Sequence, residues 1–162
     1  MAEPVTLQTM LTYLTLISVP VGVFYHIMTL RNQSRNREAA LLMQIHSQWT
    51  GGIRRSWGEI NRWEWEDYDD FRERYGDLDS SDQLEVVGGY LEGIGVYVRE
   101  GLLPLRLVAL FMATIVNRFH EKFGPIAVET RVRYNRPRVG IETEYLYNEL
   151  MKYIEEHPEL NS

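Results

Sequence analysis

The chain has 162 residues, a formal net charge of −6 and no cysteine. Charged residues make up 25% and hydrophobic residues 44%, a balance typical of a folded chain rather than a disordered one. The acidic balance argues against nucleic acid as a partner, because a nucleic-acid binder needs a basic face to displace counterions. The lack of cysteine excludes disulfides and thiolate metal sites.

The first segment of the chain is long and uncharged. Residues 7–30 contain no Asp, Glu, Lys or Arg. As a helix they would extend about 36 Å at ~1.5 Å per residue, and a bilayer core is about 30 Å thick. Pro20 lies in the middle, a position that spanning helices tolerate. We therefore expect a transmembrane anchor over residues 1–37; the alternative is the buried first helix of a soluble bundle.

Small and polar residues form one stripe along this expected span. Their spacing of four, three, seven, four and three residues places them on one helical face: Gln8, Thr12, Thr15, Gly22, His26 and Thr29. Within lipid, faces of this kind pack helices against each other. The stripe predicts contact with other membrane proteins or with a second copy of the chain.

The charges beside the segment predict its orientation. Glu3 precedes it, and Arg31, Arg35 and Arg37 follow it. Arginines stay on the cytoplasmic side of a membrane. We expect the N-terminus outside, residues 38–162 as a cytoplasmic domain, and the three arginines in contact with anionic lipid headgroups.

Residues 38–162 show helical rather than alternating periodicity. The sequence predicts an all-α protein in which one N-terminal transmembrane helix precedes a compact bundle of about five helices. Gly51-Gly52 should break the first of them, Asp82 with Glu85 resembles a capping box, and Gly124-Pro125 should interrupt the fourth. The expected helices cover residues 38–57, 67–75, 83–100, 107–134 with that interruption, and 141–156.

Glu92 is the first candidate site residue. It lies in GGYLEGIG, where four glycines make sense if another backbone approaches closely. The carboxylate would then be buried and partnered by Arg118 or Arg106, either as a structural ion pair or as a metal or proton site. A solvated position on the Glu85–Glu92–Arg99 stripe is the third interpretation.

The second candidate is an acidic aromatic lobe. Residues 59–85 hold eleven acids against three arginines. The lobe could face away from an anionic membrane or dock a basic partner. Alternatively, it could fold back on the arginines of residues 31–55 or 118–138. Its expected contact residues are Trp63, Trp65, Asp67, Tyr68, Asp70 and Phe71.

Four short motifs, WEWEDYDDF, GYLEGIGVYVREGLLP, FHEKFGPI and YLYNEL, give the chain a family resemblance. It resembles an uncharacterised family of small prokaryotic proteins, many of them archaeal. The resemblance implies one N-terminal span, a basic juxtamembrane stretch and a helical cytoplasmic domain, and it implies no activity.

No catalytic constellation is evident in the sequence. The four histidines are scattered, and neither a nucleophile elbow nor a phosphate loop is present. The sequence therefore predicts no catalytic residue, metal or cofactor. We expect a membrane-tethered helical interaction module, either an accessory subunit of a larger membrane complex or a self-associating anchor. The alternative is a membrane-bound enzyme that uses Glu92, Glu121 and His120, with or without a metal.

Overall fold

The structure, a computed structural model, describes residues 7–78 and 81–161, and within those ranges it contains helices and no strand. The all-α prediction is confirmed. The elements are α1 (Leu7–Gln48), a π-helical turn (Trp49–Ile53), α2 (Arg54–Ile60), α3 (Tyr68–Tyr75), α4 (Asp82–Arg99), α5 (Leu105–Tyr134), α6 (Ile141–Glu156) and a 3₁₀ turn (Pro158–Asn161).

Helix α1 is a single helix of 42 residues that includes Pro20 and continues beyond the basic flank. It ends at Gln48, just before the break predicted at Gly51-Gly52. The backbone leaves the helical region at Gly52, with φ 167° and ψ −36°, inside the π-helical turn that leads into α2. Two consecutive glycines lower helix stability enough to make this the natural place for a kink.

The chain divides into two units, Met1–Ala40 and Leu41–Ser162. In the first unit, large apolar side chains are exposed around the helix, including Leu14 at 67%, Phe24 at 66% and Tyr25 at 73%. The helix alone cannot cover these side chains. The boundary expected between residues 37 and 38 stays a prediction, since it marks the edge of a membrane.

In the second unit, α4 packs against α6 and α2, and α5 packs against α6. The inner face of α4 is buried: Leu84, Val87, Leu91 and Ile94 are at most 2% exposed. Burial of such side chains is the main stabilising term of the unit, at about 1.5–3 kcal/mol each. The rest of the apolar core is Ile45, Ile60, Tyr68, Phe71, Leu103, Val108, Met112, Val116, Phe119, Phe123, Ile126, Leu146 and Leu150.

Helix α5 departs from the expected pattern. It runs unbroken through Gly124-Pro125, so the predicted interruption is wrong. Phe123 and Ile126 on either side of the proline are both buried, and this packing offsets the hydrogen bond that proline removes. The uncharged stretch 107–116 is also not buried on all sides, since Leu110 and Phe111 are 52% and 55% exposed.

The helix ends follow local chemistry, with one correction. Asp67 caps α3 by accepting a hydrogen bond from the backbone N–H of Asp70, and Gly76 ends that helix at φ 78°. The predicted capping box of Asp82 is wrong, because Asp82 lies inside α4 and Ser81 occupies the N-cap position without a side-chain cap. Gly101 ends α4 at φ 66°.

The glycines of α4 do not share one role. At Gly95 a Cβ atom would lie 2.4 Å from the carbonyl oxygen of Glu142, so the first turn of α6 approaches α4 at backbone distance there. At Gly89 and Gly93 a Cβ atom would meet nothing within 4 Å. The expected close approach is thus confirmed at one glycine of the cluster.

Gly95→Ala should destabilise the second unit by about 1–3 kcal/mol, because α6 would have to move away from α4. Gly89→Ala, in the same helix and in open space, should stabilise it by about 0.5–1 kcal/mol. Urea unfolding followed by helical circular dichroism in mild detergent measures both. Equal effects of the two substitutions would contradict the close approach.

Candidate functional site

A cavity of about 250 Å³ lies between α4, α5 and α6 in the second unit. Its wall is mostly apolar, and its charged members are Glu85, Glu92 and Arg138. The full lining is Leu78, Leu84, Glu85, Gly88, Gly89, Glu92, Phe119, Phe123, Ala127, Arg138, Val139, Gly140 and Thr143. A concave apolar site with a few convergent polar groups is the usual form of a small-ligand pocket.

Glu92 connects α4 to the start of α6. Its Oε1 accepts one hydrogen bond from the backbone N–H of Thr143 at 3.1 Å and one from the Thr143 hydroxyl at 3.2 Å. Thr143 is 4% exposed and lies in the first turn of α6. The first N–H groups of a helix lack partners within it, and a negative charge is favoured there. Glu92 therefore caps α6 from a neighbouring helix.

The structure does not bring Glu92 and Arg118 together. Among the described residues no ion pair joins them, and Arg118 is exposed on α5. The expected Glu92–Arg118 pair is corrected to a Glu92–Thr143 contact. The physical reason is that Gly95 lets the α6 terminus approach the Glu92 side of α4.

His120 lies in a second, small cavity of about 30 Å³ that also shares Phe119, Phe123 and Thr143 with the first. Its ring stacks on Tyr147 with centroids 3.8 Å apart. Burial lowers the pKa of His120, and the nearby Glu144 partly opposes that shift. Glu144 is paired to Arg131 at 2.5 Å. The imidazole is thus a stacked, largely uncharged group at neutral pH.

The three residues of the enzyme alternative do not converge. Glu92 lines the larger cavity, His120 lines the smaller one, and Glu121 is exposed and accepts a hydrogen bond from Asn117. Within residues 7–78 and 81–161, no three His, Asp or Glu side chains are close enough to hold a metal ion.

The aromatic side chains of the acidic aromatic lobe turn inward. Phe71 is 1% exposed, and the Tyr68 hydroxyl forms a buried hydrogen bond with Thr130 at 3.2 Å. Trp63 stacks on Tyr75 with ring centroids 4.2 Å apart. Trp65 packs edge-on against Phe71 at 5.0 Å. The expected contact role is corrected for Tyr68 and Phe71, which belong to the core. Trp63 and Trp65 are partly buried against that core, and a contact role for them stays a prediction.

The acids of the lobe remain nearer the surface, and several are paired within the chain. Asp69 pairs with Arg133 of α5 at 2.5 Å, and Asp70 pairs with Arg74 at 2.6 Å. Asp67 serves as the α3 cap. The lobe thus folds back in part on Arg133 of α5, in line with the fold-back interpretation, and surface pairs of this kind stabilise by about 0–1 kcal/mol.

Lys122 is a central contact of this region. Its Nζ donates to the carbonyl oxygens of Asn61 and Trp63, both at 2.6 Å, and lies 5.2 Å from the Trp65 ring. Burial lowers the pKa of Lys122. The ammonium group thereby fixes the chain that leaves α2 against α5.

The polar stripe on α1 satisfies its hydroxyl groups locally. The Thr12 hydroxyl donates to the Gln8 carbonyl at 2.8 Å, and the Thr29 hydroxyl donates to the Tyr25 carbonyl at 2.9 Å. The Thr15 hydroxyl donates to the Thr12 carbonyl at 3.0 Å. Gly22 and His26 are exposed on the same helix, as are Arg31, Arg35 and Arg37 beyond it.

Sequence reasoning missed Thr143, Lys122 and Arg133 as positioning residues. Each acts on a residue about 50–60 positions away in the chain, and such pairings leave no local spacing signal. The one usable signal is a helix start without its own side-chain cap at Gly140, which calls for an acceptor from elsewhere.

The described residues define an all-α protein. In the described residues one helix, near the N-terminus, is long and apolar enough to cross a membrane. A model of the family described as Domain of unknown function (DUF4760) matches residues 16–150, and the chain belongs to this family. Neither a curated protein nor a solved structure matches the chain.

Glu92→Ala should destabilise the second unit by about 1–3 kcal/mol, because the buried N–H and hydroxyl of Thr143 lose their acceptor. Glu92→Gln keeps an acceptor oxygen and should cost less. Glu85→Ala is the matched control, an exposed carboxylate on the same cavity wall, and should change stability by about 0.5 kcal/mol at most. Urea unfolding measures all three, and a Glu92→Ala effect no larger than the control would remove the capping role.

Proposed function

We propose that the protein is a membrane-tethered helical interaction module that serves as an accessory subunit of a larger membrane complex or as a self-associating anchor. The observation that carries the proposal is the exposed apolar surface of α1 in the first unit. Leu14, Leu16, Val19, Val21 and Phe24 are 60–67% exposed. Water disfavours a contiguous apolar surface of this size, whereas lipid is its natural solvent.

The hydroxyl contacts of α1 support the same environment. In lipid, polar groups must find partners within the protein because no water is present to bind them. Thr12, Thr15 and Thr29 donate to carbonyls of their own helix. The amide of Gln8 and the ring of His26 form no hydrogen bond with the described part of the chain, and they can contact another helix.

The basic flank supports the orientation. Arg31, Arg35 and Arg37 are exposed on the last part of the first unit. Under the positive-inside rule they favour residues 38–162 in the cytoplasm and the N-terminus outside. The guanidinium groups would then contact anionic headgroups. We also propose that the chain is a prokaryotic protein with a single membrane span, as the family resemblance implies.

The stripe of Gln8, Thr12, Thr15, Gly22, His26 and Thr29 supports association. Small and hydroxyl-bearing residues let two helix backbones approach closely in lipid, where interhelical packing and hydrogen bonds drive assembly. We expect this face to bind another membrane protein or a second copy of the chain.

Single-cysteine labelling tests the location, since the natural chain has no cysteine. In intact cells a membrane-impermeant maleimide should label Glu3→Cys and should not label Glu155→Cys, an exposed position near the end of α6. Permeabilised cells, in which both variants should react, are the control. Labelling of Glu155→Cys in intact cells, or release of the chain by carbonate washing, would contradict the tethered cytoplasmic domain.

Co-purification of two differently tagged copies in mild detergent tests the association, together with measurement of the mass of the purified complex. Gly22→Leu, which adds bulk to the stripe, should lower recovery of the second copy or of a stoichiometric partner at least about tenfold, equivalent to ~1.4 kcal/mol. Val21→Leu adds one methylene on the opposite face and should leave recovery unchanged. A wild-type protein that runs alone as a monomer would defeat this half of the proposal.

A further inference from the structure

We propose that the cavity between α4, α5 and α6 binds a small organic cation with an ammonium head and a compact apolar body. This inference goes beyond the proposed function and does not depend on it, because every lining residue belongs to the second unit. No residue of the cavity takes part in the expected membrane contacts.

The wall of the cavity suits an apolar body. Leu84, Phe119 and Phe123 are core residues that line this space. Gly88 and Gly89 leave room on the α4 side: a Cβ atom at Gly88 would have only the edge of Phe119 as a neighbour, at 3.8 Å. A volume of about 250 Å³ is just below the range of ~300–1,000 Å³ of drug-sized sites, so the ligand is a small one.

Glu92 supplies the anchor for the charged head. Its Oε1 holds both hydrogen bonds from Thr143, and no described residue donates a hydrogen bond to its Oε2. The carboxylate is therefore fixed in direction by α6 while one oxygen stays free. An ammonium group can donate to that oxygen in a charge-assisted hydrogen bond, which is about twice as strong as a neutral one.

The other charges of the wall favour a cation over an anion. Glu85 stands seven residues before Glu92, two turns along the same helix, and adds a second carboxylate. Arg138 is the one cationic side chain among the described lining residues. The lining thus carries two carboxylates against one guanidinium.

Phenethylamine and 3-phenylpropionate are a matched pair of probes, with the same aromatic body and opposite charges at neutral pH. Isothermal titration calorimetry with the full chain in mild detergent should give saturable binding of phenethylamine and at least tenfold weaker binding of 3-phenylpropionate. Glu92→Gln, which keeps an acceptor for Thr143, should weaken phenethylamine at least tenfold. Titration of each probe into empty detergent micelles measures its partitioning into detergent and serves as the blank.

Filling the cavity gives the second arm of the test. Gly88→Leu should abolish phenethylamine binding. Gly88→Ala is the substitute if Gly88→Leu impairs folding, and it should weaken binding. Gly93→Leu is the matched control, a glycine of the same helix that faces open space and does not line the cavity. It should bind as the wild type does, with folding of all variants checked by circular dichroism.

Three results would overturn the proposal. They are absence of saturable phenethylamine binding to the wild type, equal binding of the two probes, and binding that survives both Gly88→Leu and Gly88→Ala. None of these results bears on membrane location or self-association, so the two proposals fail separately.

Discussion

The second unit depends on the backbone approach of α6 to α4. Gly95 provides the space, since any side chain there would collide with the carbonyl group of Glu142. Glu92, less than one turn earlier, accepts both hydrogen bonds that Thr143 offers at the start of α6. One helix therefore provides both the space and the cap for the other. Leu91 of α4 and Leu146 of α6, two helices that pack together, are both 0% exposed.

The same junction creates the cavity. Glu92 holds the α6 terminus in place, while Gly88 and Gly89 remove side chains from the neighbouring wall. A cluster of glycines thus does two opposite things within eight residues: it closes a contact at Gly95 and opens a space at Gly88. An apolar space beside a fixed carboxylate is a natural place for a ligand, whereas an empty one lowers stability in proportion to its volume.

Local pattern predicted most of the helices. The period of α4, the kink at Gly51-Gly52 and the bounds of α6 follow from spacing and from breakers within a few residues. Packing overrode local propensity at Pro125, where buried neighbours on both sides keep α5 continuous. The site was harder to predict. Sequence spacing can mark Glu92 as unusual, but its partner lies 51 residues away on a helix whose approach only the fold defines.

The contacts between α5 and the acidic aromatic lobe affect how the chain folds during synthesis. Residues of the lobe bind partners about 60 positions later. Lys122 binds the carbonyl oxygens of Asn61 and Trp63, Thr130 binds the Tyr68 hydroxyl, and Arg133 binds Asp69. At a synthesis rate of about 5–20 residues per second, some 60 residues take about 3–12 s to emerge. For that interval Trp63, Trp65 and Phe71 have left the ribosome while the helix that covers them is unfinished. The nascent chain therefore exposes the acidic aromatic lobe, to which a holding chaperone can bind until α5 is complete.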